Sequence, residues 1–271
     1  LRKVCVKVNN RVMYVKLSRK QALKILTGNL GRVIEKKDKI ICYVDKENEN
    51  KKIIELFNSK SNKNLEISRL YEINKPIYYI FDSLNFNYTT NILGYDNVRV
   101  IMNNCNFING EYLIEINGKC RIDSCRFTGI LDIDSNNLKI VNSYLNGTGN
   151  RFLIHSLYGL NISDTKIDVC NSSFLFIKSD NISFGNVNIN GRGVDIEAFN
   201  LNISKDSIIN SESTSIRCLE SNMDIDSIKN SKTYSYCDSN SWHTQNISDY
   251  DLKEKRIKLI DTLKKVKNRK S

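Results

Sequence analysis

VIMNNCNF at residues 100–107 and CRIDSCRF at 120–127 carry apolar side chains at the same four offsets, 0, +2, +5 and +7. The spacing continues outward in both directions. Tyr79/Phe81/Leu84/Phe86 precedes these two rungs, and Leu138/Ile140/Ser143/Leu145, Leu160/Ile162/Thr165/Ile167 and Ile182/Phe184/Val187/Ile189 follow them. First members of successive rungs step by 21, 20, 18, 22 and 22 residues. A fixed period of about 20 residues marks a solenoid, in which one coil cannot bury its apolar face without a neighbour.

Within a rung, offsets 0 and +2 point the same way, as alternation along a strand requires. The step from +2 to +5 breaks that parity, so the chain must bend there. Ser83, Asn104, Ser124, Asn142, Asp164 and Asn186 occupy the bend at +4. Short polar side chains at a corner bond to nearby backbone and tolerate left-handed backbone. Variable loops follow +7, often with glycine, as in Asn146-Gly147-Thr148-Gly149 and Asn190-Gly191-Arg192-Gly193. A further apolar pair follows each loop, such as Leu131/Ile133, Leu175/Ile177, Val194/Ile196 and Ile216/Cys218, which makes three short strands per coil.

The period, bend position and stacking over residues 76–235 resemble the right-handed parallel β-helix of the pectin-lyase-like superfamily. Two weaker coils, Leu201/Ile203/Asp206/Ile208 and Met223/Ile225/Ile228/Asn230, extend the pattern to eight. Eight coils predict a rod of roughly 34 Å at ~4.8 Å per interval. The expected fold is mainly β, a right-handed parallel β-helix with a small N-terminal α/β domain and a C-terminal α-helix. Its expected divisions are residues 1–75, 76–235 and 236–271.

The net charge of +11 is unevenly spread. Residues 1–75 carry 19 Lys+Arg against 8 Asp+Glu, residues 76–247 carry 13 against 18, and residues 248–271 carry 9 against 4. An acidic solenoid between two basic ends places any anion-binding expectation at the ends. No apolar run approaches the ~20 residues that span a bilayer. No basic-then-apolar leader opens the chain at Leu1, which favours a reducing, cytoplasmic setting for its eight cysteines. Cys105, Cys120 and Cys125 fall on apolar repeat positions, where a thiol packs as a small hydrophobe. Cys105 and Cys125 share a column at roughly 4.8 Å, which suits either stacked free thiols or a disulfide.

The superfamily resemblance implies cleavage of acidic polysaccharides, which needs clustered carboxylates for Ca²⁺ or a carboxylate pair about 5–10 Å apart. Asp132 and Asp195 share one column and Asp134 and Glu197 another, but each pair lies three coils, ~14 Å, apart. Lys178 with Glu197, and Asp195 with Arg217, are each expected to share a column one coil apart and to pair as oppositely charged cross-strand neighbours. Candidate binding residues are Arg192, in the loop Gly191-Arg192-Gly193, with Asp195, Glu197 and Arg217. Neither paired Asp-Asp nor Gly-His-Gly segments are present, so no catalytic residue is assigned, and no metal or cofactor is expected. His155 fits a stack position or an acid–base role, and Cys237 with His243 lacks further zinc ligands. Serine-hydrolase elbows and phosphate-binding glycine loops are missing from the sequence.

At the N-terminal end, Val4/Val6/Val8 and Val12/Tyr14 flank the turn Asn9-Asn10, and Ser18 with Gln21 caps a helix that Gly28 closes. A second hairpin follows over residues 33–44, then a helix near Lys51–Asn58. This segment is expected to cap the solenoid or dock a partner. Its charge, with Gly28-Asn29-Leu30-Gly31 resembling the clamp of KH-type RNA-binding domains, implies a nucleic-acid alternative. From Ser248 onward the chain predicts a basic amphipathic helix. The leading functional expectation is a non-catalytic binding or scaffold protein whose surface grips a polymer, carbohydrate above all, or a protein. A polysaccharide lyase or glycoside hydrolase is the alternative, and the sequence gives no oligomeric state.

Overall fold

The computed structural model describes residues 2–8, 11–57, 62–95, 98–149, 152–172, 174–223, 227–229 and 232–237. The chain is mainly β, built around a β-solenoid of about seven turns with few helices. The proposed C-terminal helix, and Trp242 and His243 before it, lie outside the described residues.

Three parallel faces wind along the solenoid. On the first face, Ile77–Asp82, Val98–Asn103 and residues 119–123, 137–141, 159–163 and 181–185 pair in successive register. The second face stacks residues 85–86, 106–108, 126–129, 144–147, 166–169 and 188–191. The third begins at Ile53–Glu55 and runs through Thr90–Gly94 and residues 112–116, 132–135 and 153–156 toward Lys232–Cys237. Alternation puts the 0, +2, +5 and +7 side chains inside. Phe86, Phe107 and Phe127 stack there with centroids 4.7 and 4.2 Å apart.

All six corner residues, Ser83 to Asn186, hold φ between +50° and +56°. This left-handed residue turns the chain between the first and second faces. The next residue uses its side chain to satisfy the backbone around the corner. Cys105 N–H donates to Cys125 Sγ at 3.4 Å, Cys125 N–H to Ser143 Oγ at 3.1 Å and Ser143 N–H to Thr165 Oγ1 at 3.3 Å. Ser143 and Thr165 each donate onward to a carbonyl two residues back, at 2.7 Å. The +5 column is therefore a hydrogen-bond ladder through the core, and its two thiols are free. Cys120 lies in a different column, where burial alone pushes its thiol up to about 12.

At the N-terminal end, β1 (Arg2–Val8) and β2 (Arg11–Leu17) form a separate antiparallel hairpin. Helix α1 (Arg19–Leu26) opens with the expected capping box from Ser18 and Gln21, and Gly28 follows it at φ +71°. Strands β3 (Gly31–Glu35) and β4 (Ile40–Val44) form the second hairpin. Strand β4 also pairs in parallel with Ile77–Asp82, so the sheet continues from this hairpin into the first coil. Gly31 is pressed against the Tyr43 carbonyl, where an added Cβ would lie 1.9 Å from the oxygen. Packing therefore accounts for that glycine of the Gly-x-x-Gly stretch.

Where a helix is expected near Lys51–Asn58, the chain makes β5 (Ile53–Glu55). Ile53 is 54% exposed and Ile54 fully buried over Ile92, which is the period of a strand. Helix α2 (Asn62–Leu70) comes later.

Glu35 ties these elements together. It accepts from Arg19 Nε and Nη2 at 2.8 and 2.7 Å and from Lys75 Nζ at 3.0 Å, while Arg19 Nη1 reaches the Tyr71 carbonyl. The Arg19 hydrogen bonds, with Lys75 beside them, hold its carboxyl down to about 2. A folded-state value below the unfolded one stabilises above the unfolded value, near 4.5, and is lost as pH falls toward 2. Thermal unfolding followed from pH 5 to about pH 2 is expected to show that loss. Glu35→Gln should flatten its share of the slope, and an unchanged slope would refute the assignment.

Candidate functional site

The third face gathers three of the four sequence-predicted residues. Arg217 Nη2 contacts Asp195 Oδ2 at 2.7 Å and Glu197 Oε2 at 3.6 Å, and Lys178 Nζ donates to Glu197 Oε1 at 2.9 Å. Both expected cross-coil pairs thus form, but Asp195 and Arg217 do not share a column: the register sets Arg217 opposite Glu197, and its guanidinium reaches Asp195 diagonally. These four residues line a cavity of about 360 Å³ whose remaining walls are Leu153, Phe176 and Ile177. Arg192 is exposed and lies outside that lining. Gly191 beside it is buried against Val169, where an added Cβ would sit 2.6 Å from Cγ2. Coil packing, rather than approach of a polymer, therefore accounts for that glycine.

Two coils toward the N-terminus, Asp134 Oδ1 lies 2.9 Å from His155 Nδ1, and the strand register places His155 beside Lys178. His155 is therefore an outward member of the charged column, between a carboxylate and an ammonium. Asp195 and Glu197 each face a cation, and no group of three or more metal-ligating side chains gathers among the described residues.

A larger concavity lies elsewhere, on the first face, and sequence reasoning missed it. A groove of about 890 Å³ runs along this face from Tyr78 to Asn222. Its walls are the outward side chains just before and just after the first buried position of each rung. The register sets them in two columns. One runs Tyr78, Arg99, Lys119, Asn137, Gly159, and the other Ile101, Arg121, Lys139, Asn161, Ser183. Asn181, Asn200, Asn202 and Asn222 line the C-terminal part.

The groove therefore changes chemistry along its length. Arg99, Lys119, Arg121 and Lys139 make its N-terminal half cationic, and Glu220 at the far end is the one carboxylate among the described residues lining it. Tyr78 sits at the cationic end with Lys39 5.3 Å and Arg99 5.1 Å from its ring centre, and its hydroxyl accepts from Arg99. Arg121 is braced by Asp123 at 2.5 Å. In the amide half, Asn200 Nδ2 donates to Asn181 Oδ1 and Asn181 Nδ2 to the Tyr158 carbonyl, both at 2.7 Å. These bonds fix the amides side by side across coils.

A signal for this groove existed in the sequence. Alternation already sends the residues flanking a buried position outward, and reading those columns coil by coil gives the cations and then the asparagines. Summing charge over residues 76–247 hid them, because the carboxylates of the same segment, Glu220 apart, lie outside the groove lining among the described residues. Comparison of the chain with protein-family models, with curated proteins and with solved structures finds no match.

Proposed function

We propose that this chain is a non-catalytic binding protein, a right-handed parallel β-helix of the pectin-lyase-like type. It holds an extended acidic polysaccharide lengthwise in the first-face groove. The carrying observation is the groove's outward lining, four cations followed by a run of asparagines, with no carboxylate pair among the described residues that form it. A polymer lying across the strands meets a new coil every ~4.8 Å, so one repeating contact serves successive units. Asparagine amides both donate and accept, which suits a chain of hydroxyls, and guanidinium and ammonium groups suit its carboxylates or sulfates. Cleavage would require a positioned acid and base beside the bound chain. Asp195 and Glu197, on another face, are engaged by Arg217 and Lys178.

The test is retention on affinity gels cast with acidic or neutral polysaccharides, scored together with chain length, with and without Ca²⁺. Retardation by acidic chains without shortening is the expected result. Shortening overturns the non-catalytic assignment. Retention by single-stranded nucleic acid but by no polysaccharide moves the groove to a different polymer class.

A further inference from the structure

The third-face cavity has its own chemistry, distinct from the groove's. Two cations, Lys178 and Arg217, and two carboxylates, Asp195 and Glu197, line it, so its formal charge is zero. Every one of the four is already in an ion pair, at 2.7 to 3.6 Å. A charged ligand would have to displace a partner from one of these pairs and leave that partner uncompensated. A neutral ligand bearing hydroxyls would not, because ion-paired carboxylates keep free lone pairs and a guanidinium keeps free N–H groups. Asp195 Oδ1 and Arg217 Nε both lie shielded from solvent without a hydrogen-bond partner, one an acceptor and the other a donor. A hydroxyl can serve either.

The lining next to these charged groups is apolar. Leu153 and Phe176 form it, and Phe174, 51% exposed, lies 5.9 Å from Phe176 at 41°. An open aromatic face beside a rim of donors and acceptors matches a ring with one C–H face and equatorial hydroxyls. At about 360 Å³ the space is near the small end of ligand sites, which run from about 300 to 1,000 Å³, and suits a single ring rather than a chain.

We infer that this cavity is a second binding site, on a different face from the groove, and that its ligand is one neutral sugar ring. The ring stacks on Phe176 and is hydrogen-bonded by the Asp195–Arg217–Glu197–Lys178 network. The site stands on its own geometry and does not depend on what the groove holds.

Saturation-transfer NMR on the full chain tests it, with methyl glycosides of neutral hexoses as probes and glucuronate and phenylalanine as charged and zwitterionic comparisons. A neutral glycoside should give the transfer signal. Phe176→Ala should weaken its binding about tenfold, as should Asp195→Asn, and Lys119→Glu with Lys139→Glu should leave it unchanged. Phe176 is on the outer surface, so its loss leaves the core intact, and an unchanged melting temperature would confirm that. No signal from any neutral glycoside, a signal that survives Phe176→Ala, or a preference for glucuronate or phenylalanine would overturn the inference. Loss in the groove variant would place the sugar in the groove instead, which also overturns it. Failure here leaves acidic-polymer retention by the groove untouched, so the two proposals fail separately.

Discussion

Phe107→Ala is expected to destabilise the protein by about 3–5 kcal/mol, near the top of the range for core truncations. Phe107 is fully buried and stacks on both sides, against Phe86 at 4.7 Å and 13° and against Phe127 at 4.2 Å and 6°. Tyr112 meets its edge at 5.1 Å and is anchored by hydrogen bonds to the Phe86 and Ile108 carbonyls. The stack spans three successive coils, so neither neighbouring ring can fill the void without leaving its own strand register. Position matters as much as area. A solenoid is held by nearest-neighbour interfaces, and this residue belongs to two of them at once. Phe107→Leu keeps much of the volume and should lose less, about 1.5 kcal/mol or under. Denaturant unfolding of the three proteins checks this. A broadened transition in the alanine variant would mean that the coils on either side have begun to unfold separately. A loss below about 1 kcal/mol would show that the ring stack is not what joins these coils.

The solenoid was legible because its signal is redundant. Each coil repeats the same apolar offsets, and the break of parity between +2 and +5 demanded a corner that Asn104, Ser124, Asn142 and their neighbours fill at positive φ. Single, unrepeated pieces were not legible in this way. Residues 53–55 join the third face because Ile54 has Ile92 to cover, and a three-residue strand has no period of its own to announce it. The +5 column shows a subtler gap. Cys105 and Cys125 read as small hydrophobes, but only the stack beside Ser143 and Thr165 reveals that each side chain answers a backbone N–H on the preceding coil. The charged pairs on the third face were legible because their members lie on adjacent coils, although the register sets Arg217 opposite Glu197 rather than opposite Asp195, which its guanidinium reaches diagonally. The groove's lining could be read from the same outward columns, but its concavity could not, since that depends on how the outward side chains of several coils lean together.

The double substitution Lys119→Glu with Lys139→Glu is expected to weaken acidic-polysaccharide binding by about 10- to 100-fold. The two residues lie in neighbouring outward columns on adjacent coils, in the cationic half of the groove, and both are exposed. Among the described residues neither is in an ion pair, so reversal breaks no internal contact, and the fold should be unaffected. Reversal places carboxylates beside Arg99 and Arg121, so the anionic polymer meets a groove half that is no longer positive. The control is Lys20→Glu with Lys166→Glu, which changes net charge equally but lies on α1 and on the second face. If binding depended on overall charge alone, both doubles would weaken it alike. If the groove holds the chain, only the first should. Ionic strength separates the cases further. Wild-type affinity should fall as salt rises through about 0.1 M, where the screening length is ~10 Å, and the groove variant should respond little because its two new carboxylates balance Arg99 and Arg121. Equal losses in both doubles would leave long-range steering as the sole electrostatic contribution and remove the groove as the site. A selective loss that tracks salt would place the polymer over Arg99, Lys119, Arg121 and Lys139, with the asparagine half free to grip its uncharged hydroxyls.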